Sequence, residues 1–314
     1  MRFGYTKGCD QWVGFFQLLL TNSDPSAQLP QSPHELVNGY DCDVFFYTYE
    51  NAKDRLRCKP NTRFIFISGE CYNVRQFPCA LLIDCKHGYQ RCANSSFVYY
   101  PFYALSFFER PRYRPEQLIK SSTTMSISDR DVLPLASPCN ASSVKSKFCA
   151  FMYKQEVPFR VELFDQISRY KPVDALGKSR NKNHQVVTDR HSNGFMDNAV
   201  RKYIPYKFVI CCENKCHPGY ITEKIINAML AGAIPIYLGA PDISNHFNPK
   251  SFINVGAFAN RGDALRYIKA VDTDPVLYNA MVSEPWFHNN TLSEYFDPLY
   301  LKKAFESTVL NKSK

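Results

Sequence analysis

The stretch Tyr206–Gly239, YKFVICCENKCHPGYITEKIINAMLAGAIPIYLG, places two apolar runs on either side of one amphipathic segment. Phe208–Cys212 and Ala233–Leu238 are short and continuously apolar, as strands buried on both faces are. Between them Ile225, Ile226, Met229 and Leu230 recur at helical spacing, predicting a helix over Thr222–Ala231. Thr222 is placed to cap its start, and Gly232 stands where a left-handed C-terminal residue is needed. Strand, loop, helix and strand in that order close as a parallel crossover. The loop Glu213–Ile221 then meets a helix start beyond the carboxyl end of a parallel strand, where open α/β sheets bind ligands and where free amides favour phosphate.

The same alternation runs through the chain, which makes the class α/β. Strands are predicted at Arg2–Tyr5, Asp43–Thr48, Arg63–Ile67, Ala80–Asp84, Phe97–Tyr100 and Lys147–Tyr153, with helices at Asp10–Leu20 and Pro158–Tyr170, the latter with Pro in its first turn. The 314 residues suit two domains of about 150 residues each, and one large domain is the alternative. The turn-rich stretch Ser121–Ser146 lacks periodicity and reads as interdomain. The expected division is 1–145, 146–284 and a C-terminal helical segment, 285–314, packing across both. The basic run Gly177–Gly194 reads as a solvated loop, or as an element that orders over an anion.

Lys and Arg number 38 against 29 Asp and Glu, a formal charge of +9 that favours a polyanionic partner without choosing among nucleic acid, membrane and phosphorylated small molecules. Nucleic acid needs a basic stripe interleaved with stacking aromatics, and only 177–194 is basic, so none is expected. No run approaches the roughly 18 apolar residues of a membrane span, and no secretory signal is visible. A cytoplasmic location is expected from the chain as written, and a Golgi-type one only if an N-terminal anchor has been removed. The 12 cysteines form no C-x-x-C pair, so buried free thiols are expected in place of structural zinc.

Glu213, Asn214, Tyr220, Thr222, Glu223 and Lys224 fall within twelve residues. On spacing alone Glu213 and Lys224 are equally ordinary surface charges and Tyr220 a core aromatic. Lys224 opposes the dipole of its own helix unless an anion lies between them, which suits a phosphate ligand. Neither G-x-x-x-x-G-K-[ST] nor G-x-G-x-x-G occurs. Asp-x-Asp, a metal-holding pattern, appears at Asp41-Cys42-Asp43, Asp129-Arg130-Asp131 and Asp272-Thr273-Asp274, as chance allows with 29 acidic residues. A second constellation, Arg63–Glu70 (RFIFISGE), ends a strand in a carboxylate that on this evidence alone reads first as a solvated loop glutamate, and otherwise as a general base tuned by partial desolvation in a cleft. Periodicity does not choose among Glu70, Glu213 and Glu223.

Glu213-Asn214, Tyr220-Ile221-Thr222-Glu223-Lys224, the run 231–241 (AGAIPIYLGAP) and Phe247–Ile253 together resemble the signature of the α1,3/α1,4-fucosyltransferase family. Gly69-Glu70, Pro101-Phe102-Tyr103 and Arg160 fall where that family has related features. The resemblance implies a GT-B architecture: two Rossmann-like domains facing an interdomain cleft, the first for acceptor and the second for GDP-fucose. It implies an inverting transferase that moves L-fucose to a hydroxyl, expected at O3 of GlcNAc or Glc, of an oligosaccharide or glycoconjugate, with no cofactor and no metal needed for the chemistry. By position, Glu70 matches the general base, Arg160 and Lys224 the cations on the diphosphate, and Asn214, Tyr220 and Thr222 donor-site positions. Glu223 matches a carboxylate on the donor's sugar portion that, by analogy with glycoside hydrolysis, stabilises oxocarbenium-like charge. The chain departs from the family at Cys212, where an aromatic is usual, and at Lys215, where a small residue is. A same-fold transferase using another nucleotide sugar, and a non-catalytic glycan- or nucleotide-binding relative, are the alternatives.

Overall fold

The apolar runs become two parallel sheets in the computed structural model, which describes residues 2–5, 35–48, 52–69, 71, 79–87, 96–106, 118–119, 145–181 and 195–310. The chain divides into two units, one of Met1–Glu109, Pro218–Tyr220 and Ser293–Lys314, the other of Arg110–His217 and Ile221–Leu292. No helix among the described residues is long and apolar enough to cross a membrane.

The first unit is built on strands β1 (Arg2–Tyr5), β2 (Glu35–Asn38), β3 (Val44–Tyr47), β4 (Arg63–Ser68), β5 (Leu81–Asp84) and β6 (Ser96–Tyr99), followed by the single helical turn α1 (Phe102–Leu105). Their order is β2-β1-β3-β4-β5-β6, parallel throughout. Every residue of β3 and β5 is buried, so these strands are apolar on both faces. On β3, Phe45 and Tyr47 join Cys42, Phe66 and Leu82 in one cluster. The intervening Phe46 stacks at 6.2 Å on Phe305 of the C-terminal helix Pro298–Phe305, as the two-residue period requires. At the end of β5 both carboxylate oxygens of Asp84 accept from Lys86 Nζ at 2.8 Å, with the pair buried; burial raises the Asp84 pKa against the pull of that ammonium.

The second unit carries β7 (Lys147–Phe151), α2 (Pro158–Ser168), β8 (Val173–Ala175), α3 (Phe195–Tyr203), β9 (Tyr206–Cys212), α4 (Glu223–Leu230), β10 (Ile234–Leu238), β11 (Ile253–Asn254), α5 (Arg261–Thr273) and α6 (Pro275–Ser283). The sheet order is β11-β10-β9-β7-β8, again all parallel. Phe208, Ile210 and Cys212 of the central strand β9 pack with Leu163 and Ile167 of α2, Ala264, Ile268 and Val271 of α5 and Tyr278 and Met281 of α6. The alternate residue Cys211 meets α4, its thiol donating to the Lys224 carbonyl at 3.4 Å. Helices therefore cover both faces of β9.

Most predicted elements are found within a residue or two of their expected ends. β2, β8, β11, α1, α3, α5 and α6 lie outside the predicted elements: ELVN and VDA carry too few apolar residues to signal a strand, and α3 follows directly on the polar run 177–194. The expected helix Asp10–Leu20, the Asp129/Asp131 pair and residues 182–194 lie outside the described residues.

One acidic residue ties the far end of α5 to the sheet. Asp272, 3% exposed, accepts from Lys207 Nζ at 2.8 Å, Lys171 Nζ at 3.1 Å and the Tyr170 hydroxyl at 3.0 Å. Burial would raise its pKa, but those three donors outweigh it and hold the carboxyl below its ordinary value. A depressed folded value stabilises the protein above the unfolded pKa and is lost as pH falls through the folded one. Asp272→Asn is therefore expected to cost about 1–3 kcal/mol at neutral pH and nothing in strong acid, seen as denaturation curves that converge as pH falls.

Candidate functional site

Helix α4 ends as its sequence dictates. Gly232 takes φ +66°, the Gly232 N–H donates to the Met229 carbonyl at 2.8 Å and the Ala233 N–H to that of Ala228 at 3.0 Å, a paired C-terminal closure. Its start differs from expectation. Thr222 occupies the N-cap position, but its side chain makes no capping bond. A stronger acceptor competes for it: the Thr222 hydroxyl donates to the Glu213 carboxylate at 2.8 Å, and the Thr222 N–H donates to the same carboxylate at 2.8 Å.

Glu213 is thus no surface charge. It is fully buried at the carboxyl end of β9, and its third partner is Lys224, whose Nζ lies 3.0 Å from Oε2. Lys224 also donates to the Thr222 hydroxyl at 2.8 Å, closing a ring of three side chains, and Glu223 stands 4.0 Å away on its other side. The anion that lets a lysine occupy the first turn of α4 is therefore Glu213. Burial works against the ammonium, yet the carboxylates of Glu213 and Glu223 hold Lys224 above its ordinary value. An ammonium has three N–H groups, and these two bonds use two of them. The backbone of the next loop closes on the ring: a Cβ at Gly239 would fall 2.5 Å from Cγ of Glu213, so no other residue fits without displacing that carboxylate.

Arg160 reaches the same strand end from the first turn of α2. It is 1% exposed, its Nη2 donates to the Cys212 carbonyl at 3.0 Å and to Asn214 Oδ1 at 2.8 Å, and its Nη1 donates to the Gln155 carbonyl at 3.3 Å. The guanidinium lies 3.9 Å over the ring of Tyr153, and its Nε is buried with no hydrogen-bond partner. Tyr153 is itself pinned, donating to the Ile210 carbonyl at 2.7 Å and accepting from the Cys212 N–H at 2.6 Å. A guanidinium so clamped is held in one orientation, with both N–H groups of Nη2 used and that of Nε left over.

Of the expected site residues, Arg160, Asn214, Thr222, Glu223 and Lys224 gather in the second unit around the end of β9 and the start of α4. Tyr220 belongs to the first unit, 1% exposed in a cluster with Cys71, Cys85 and Phe102. Glu70 lies outside the described residues. Two partnerships are not legible in the sequence. Glu213, a candidate base or surface charge by spacing, is the partner that positions Lys224. Tyr153 carried one usable signal, an aromatic just past a strand and seven residues before a helix-start arginine. At Cys212 the thiol packs into the core and the carbonyl meets Arg160; burial pushes the thiol up to about 12. The Asp-x-Asp carboxylates are engaged elsewhere: Asp43 pairs with Lys59 at 3.1 Å, Asp272 is held as above, and Asp274 caps α6 through the Val276 N–H at 2.8 Å.

The chain is similar to known proteins. The C-terminal domain of glycosyltransferase family 10 (fucosyltransferase) matches residues 142–293, the span from just before β7 to past α6. A protein of Acanthamoeba polyphaga mimivirus that bears a provisional fucosyltransferase name is 35% identical over 240 residues, 75% of this chain and 35% of that protein. The α-(1,3)-fucosyltransferase FucT of Helicobacter pylori is 27% identical over 303 residues, 90% of this chain and 59% of the enzyme. The chain thus spans between one third and three fifths of these relatives. A crystal structure of an α1,3-fucosyltransferase with GDP-fucose superposes with a TM-score of 0.66 at 22% identity, covering 98% of this chain and 90% of that one. A second α1,3-fucosyltransferase structure gives 0.71 at 22% identity, with 100% and 91% covered. The fold is the GT-B fold of those α1,3-fucosyltransferase structures, and residues 142–293, just under half of the chain, resemble the C-terminal domain of glycosyltransferase family 10.

Proposed function

We propose that the protein transfers L-fucose from GDP-fucose to a hydroxyl of an oligosaccharide or glycoconjugate, with inversion at the anomeric carbon and at O3 of a GlcNAc or Glc acceptor. The observation that carries this reading is the clamped Arg160, with a buried N–H left over, beside the Glu213–Lys224 pair at one strand end. Departure of GDP leaves charge on a diphosphate, and fixed cations stabilise developing charge best when they need no reorganisation. Arg160 supplies an oriented guanidinium with its Nε N–H left over and Lys224 its third N–H, the work a divalent ion does in other transferases. Asn214, held by Arg160, and Thr222, held by Glu213, fix the walls of the same site, and Tyr220 anchors the loop between them. Glu223 faces the sugar and supports oxocarbenium-like charge. Glu70 takes the proton of the acceptor hydroxyl as that oxygen bonds to the anomeric carbon and the bond to the diphosphate breaks.

The test is calorimetric titration with GDP-fucose, GDP-mannose and UDP-glucose, followed by GDP release across an acceptor array with and without chelator. Tight binding of GDP-fucose and chelator-insensitive release on fucosyl transfer are expected. Preference for another donor would replace the substrate, and binding without release under any acceptor would make the protein a non-catalytic relative.

A further inference from the structure

Three helices of the second unit begin where strands of one parallel sheet end: α2 after β7, α4 after β9 and α5 after β11. Crossovers in a parallel sheet bring such helix starts to its carboxyl edge. Each carries a cation in its first turn, Arg160, Lys224 and Arg261, although helix starts favour anions. The first two are assigned above to a diphosphate. We propose that Arg261 is a third cation of that site, donating to phosphate oxygens of the nucleoside diphosphate; the inference rests on the nucleotide-sugar reading.

The side chain of Arg261 is poorly served by the protein itself. The side chain is 29% exposed, yet its Nη1 is buried with no hydrogen-bond partner, as Nε is in the 1% exposed Arg160. Its ion pair among the described residues is a 4.0 Å approach to Glu162, whose own side chain is 58% exposed. Arg261 is not needed to cap α5, since Asn260 Oδ1 accepts the Asp263 N–H at 3.0 Å. Glu162 lies two residues past Arg160, so the approach of Arg261 to it sets the start of α5 against the first turns of α2. Burial raises the Cys212 thiol, and Arg160 and Arg261 both pull it down; at Cys216 Arg261 likewise opposes burial. A buried unpaired N–H on a cation set against a helix dipole is costly twice over, and one anion relieves both costs.

The experiment measures binding of GDP, GMP and guanosine to the wild type, Arg261→Gln and Arg261→Lys by calorimetry, with ligand-free thermal unfolding of each. Arg261→Gln is expected to weaken GDP by about 10- to 100-fold, leave guanosine unchanged and leave ligand-free stability undiminished, with Arg261→Lys recovering part of the loss. GDP binding equal to wild type overturns the proposal. So does an equal loss for guanosine, which would make Arg261 a reader of the base or a purely structural residue. If the wild type itself fails to bind GDP, the nucleotide-sugar reading falls first and takes this inference with it.

Discussion

Lys224→Met is expected to lower stability by about 3 kcal/mol, a fall of roughly 6–12 °C in melting temperature, while also abolishing tight donor binding. The larger part of that cost comes from what the lysine leaves behind. Glu213 is fully buried, and without Lys224 its charge keeps only the Thr222 amide and hydroxyl. Breaking a buried pair typically costs about 3–5 kcal/mol, and the lower end applies because Lys224 retains 19% exposure. The double variant Glu213→Gln/Lys224→Met removes both charges and is expected to regain most of the stability without regaining donor affinity. pH separates the cases further. Lys224 is raised above 10.5 in the folded protein, so its contribution is complete below the unfolded value and disappears as pH climbs through the folded one. Wild type and Lys224→Met should therefore converge in strong alkali. Equal stability at pH 7 would show that the ring of Glu213, Thr222 and Lys224 does not hold the site together.

Glu70→Gln is expected to reduce turnover by a factor of about 10² to 10⁴, the usual loss when a general base is removed, with donor affinity held within a few-fold. In the proposed reaction the base acts on the acceptor hydroxyl and has no part in binding the diphosphate, so the loss should fall on kcat. The acid limb of the pH–rate profile, which reports ionisation of the free base, should vanish in the variant. Near-normal turnover would remove Glu70 from the mechanism and return the choice to Glu223. Glu213 is committed to Thr222 and Lys224 and has little freedom to accept a substrate proton.

Much of the fold can be read along the chain because β3, β4, β5 and β9 are apolar on both faces and so carry a continuous signal. β2 does not, being an edge strand of four residues with only Leu36 and Val37 apolar. The chemistry around α4 is legible by type and not by partner. Lys224 in a first turn announces that an anion is near, but nothing in the spacing says that the anion is Glu213, because a glutamate after a strand is solvated as often as it is buried. Thr222 misled for a related reason: a hydroxyl before a helix is usually a cap, and here a carboxylate folded back from nine residues earlier is the better acceptor. The clamping of Arg160 depends on Tyr153 and Asn214, which are 61 residues apart in sequence and meet only through the crossover from β7 to β9.

Tyr220 and Thr222 are two residues apart, yet Tyr220 is buried with Cys71 and Cys85 of the first unit while Thr222 is bound to Glu213 of the second. The most recognisable stretch of this sequence is therefore not a property of one domain. Excising residues 142–293 as a free-standing fragment would cut along the boundary that similarity suggests and leave a tyrosine ring with no core to enter. Burying such a ring is worth about 1.5–3 kcal/mol, enough to loosen the loop that delivers Thr222, Glu223 and Lys224 to the start of α4. Domain dissection, the customary economy with two-unit proteins, would here part the loop before α4 from the core that buries its ring.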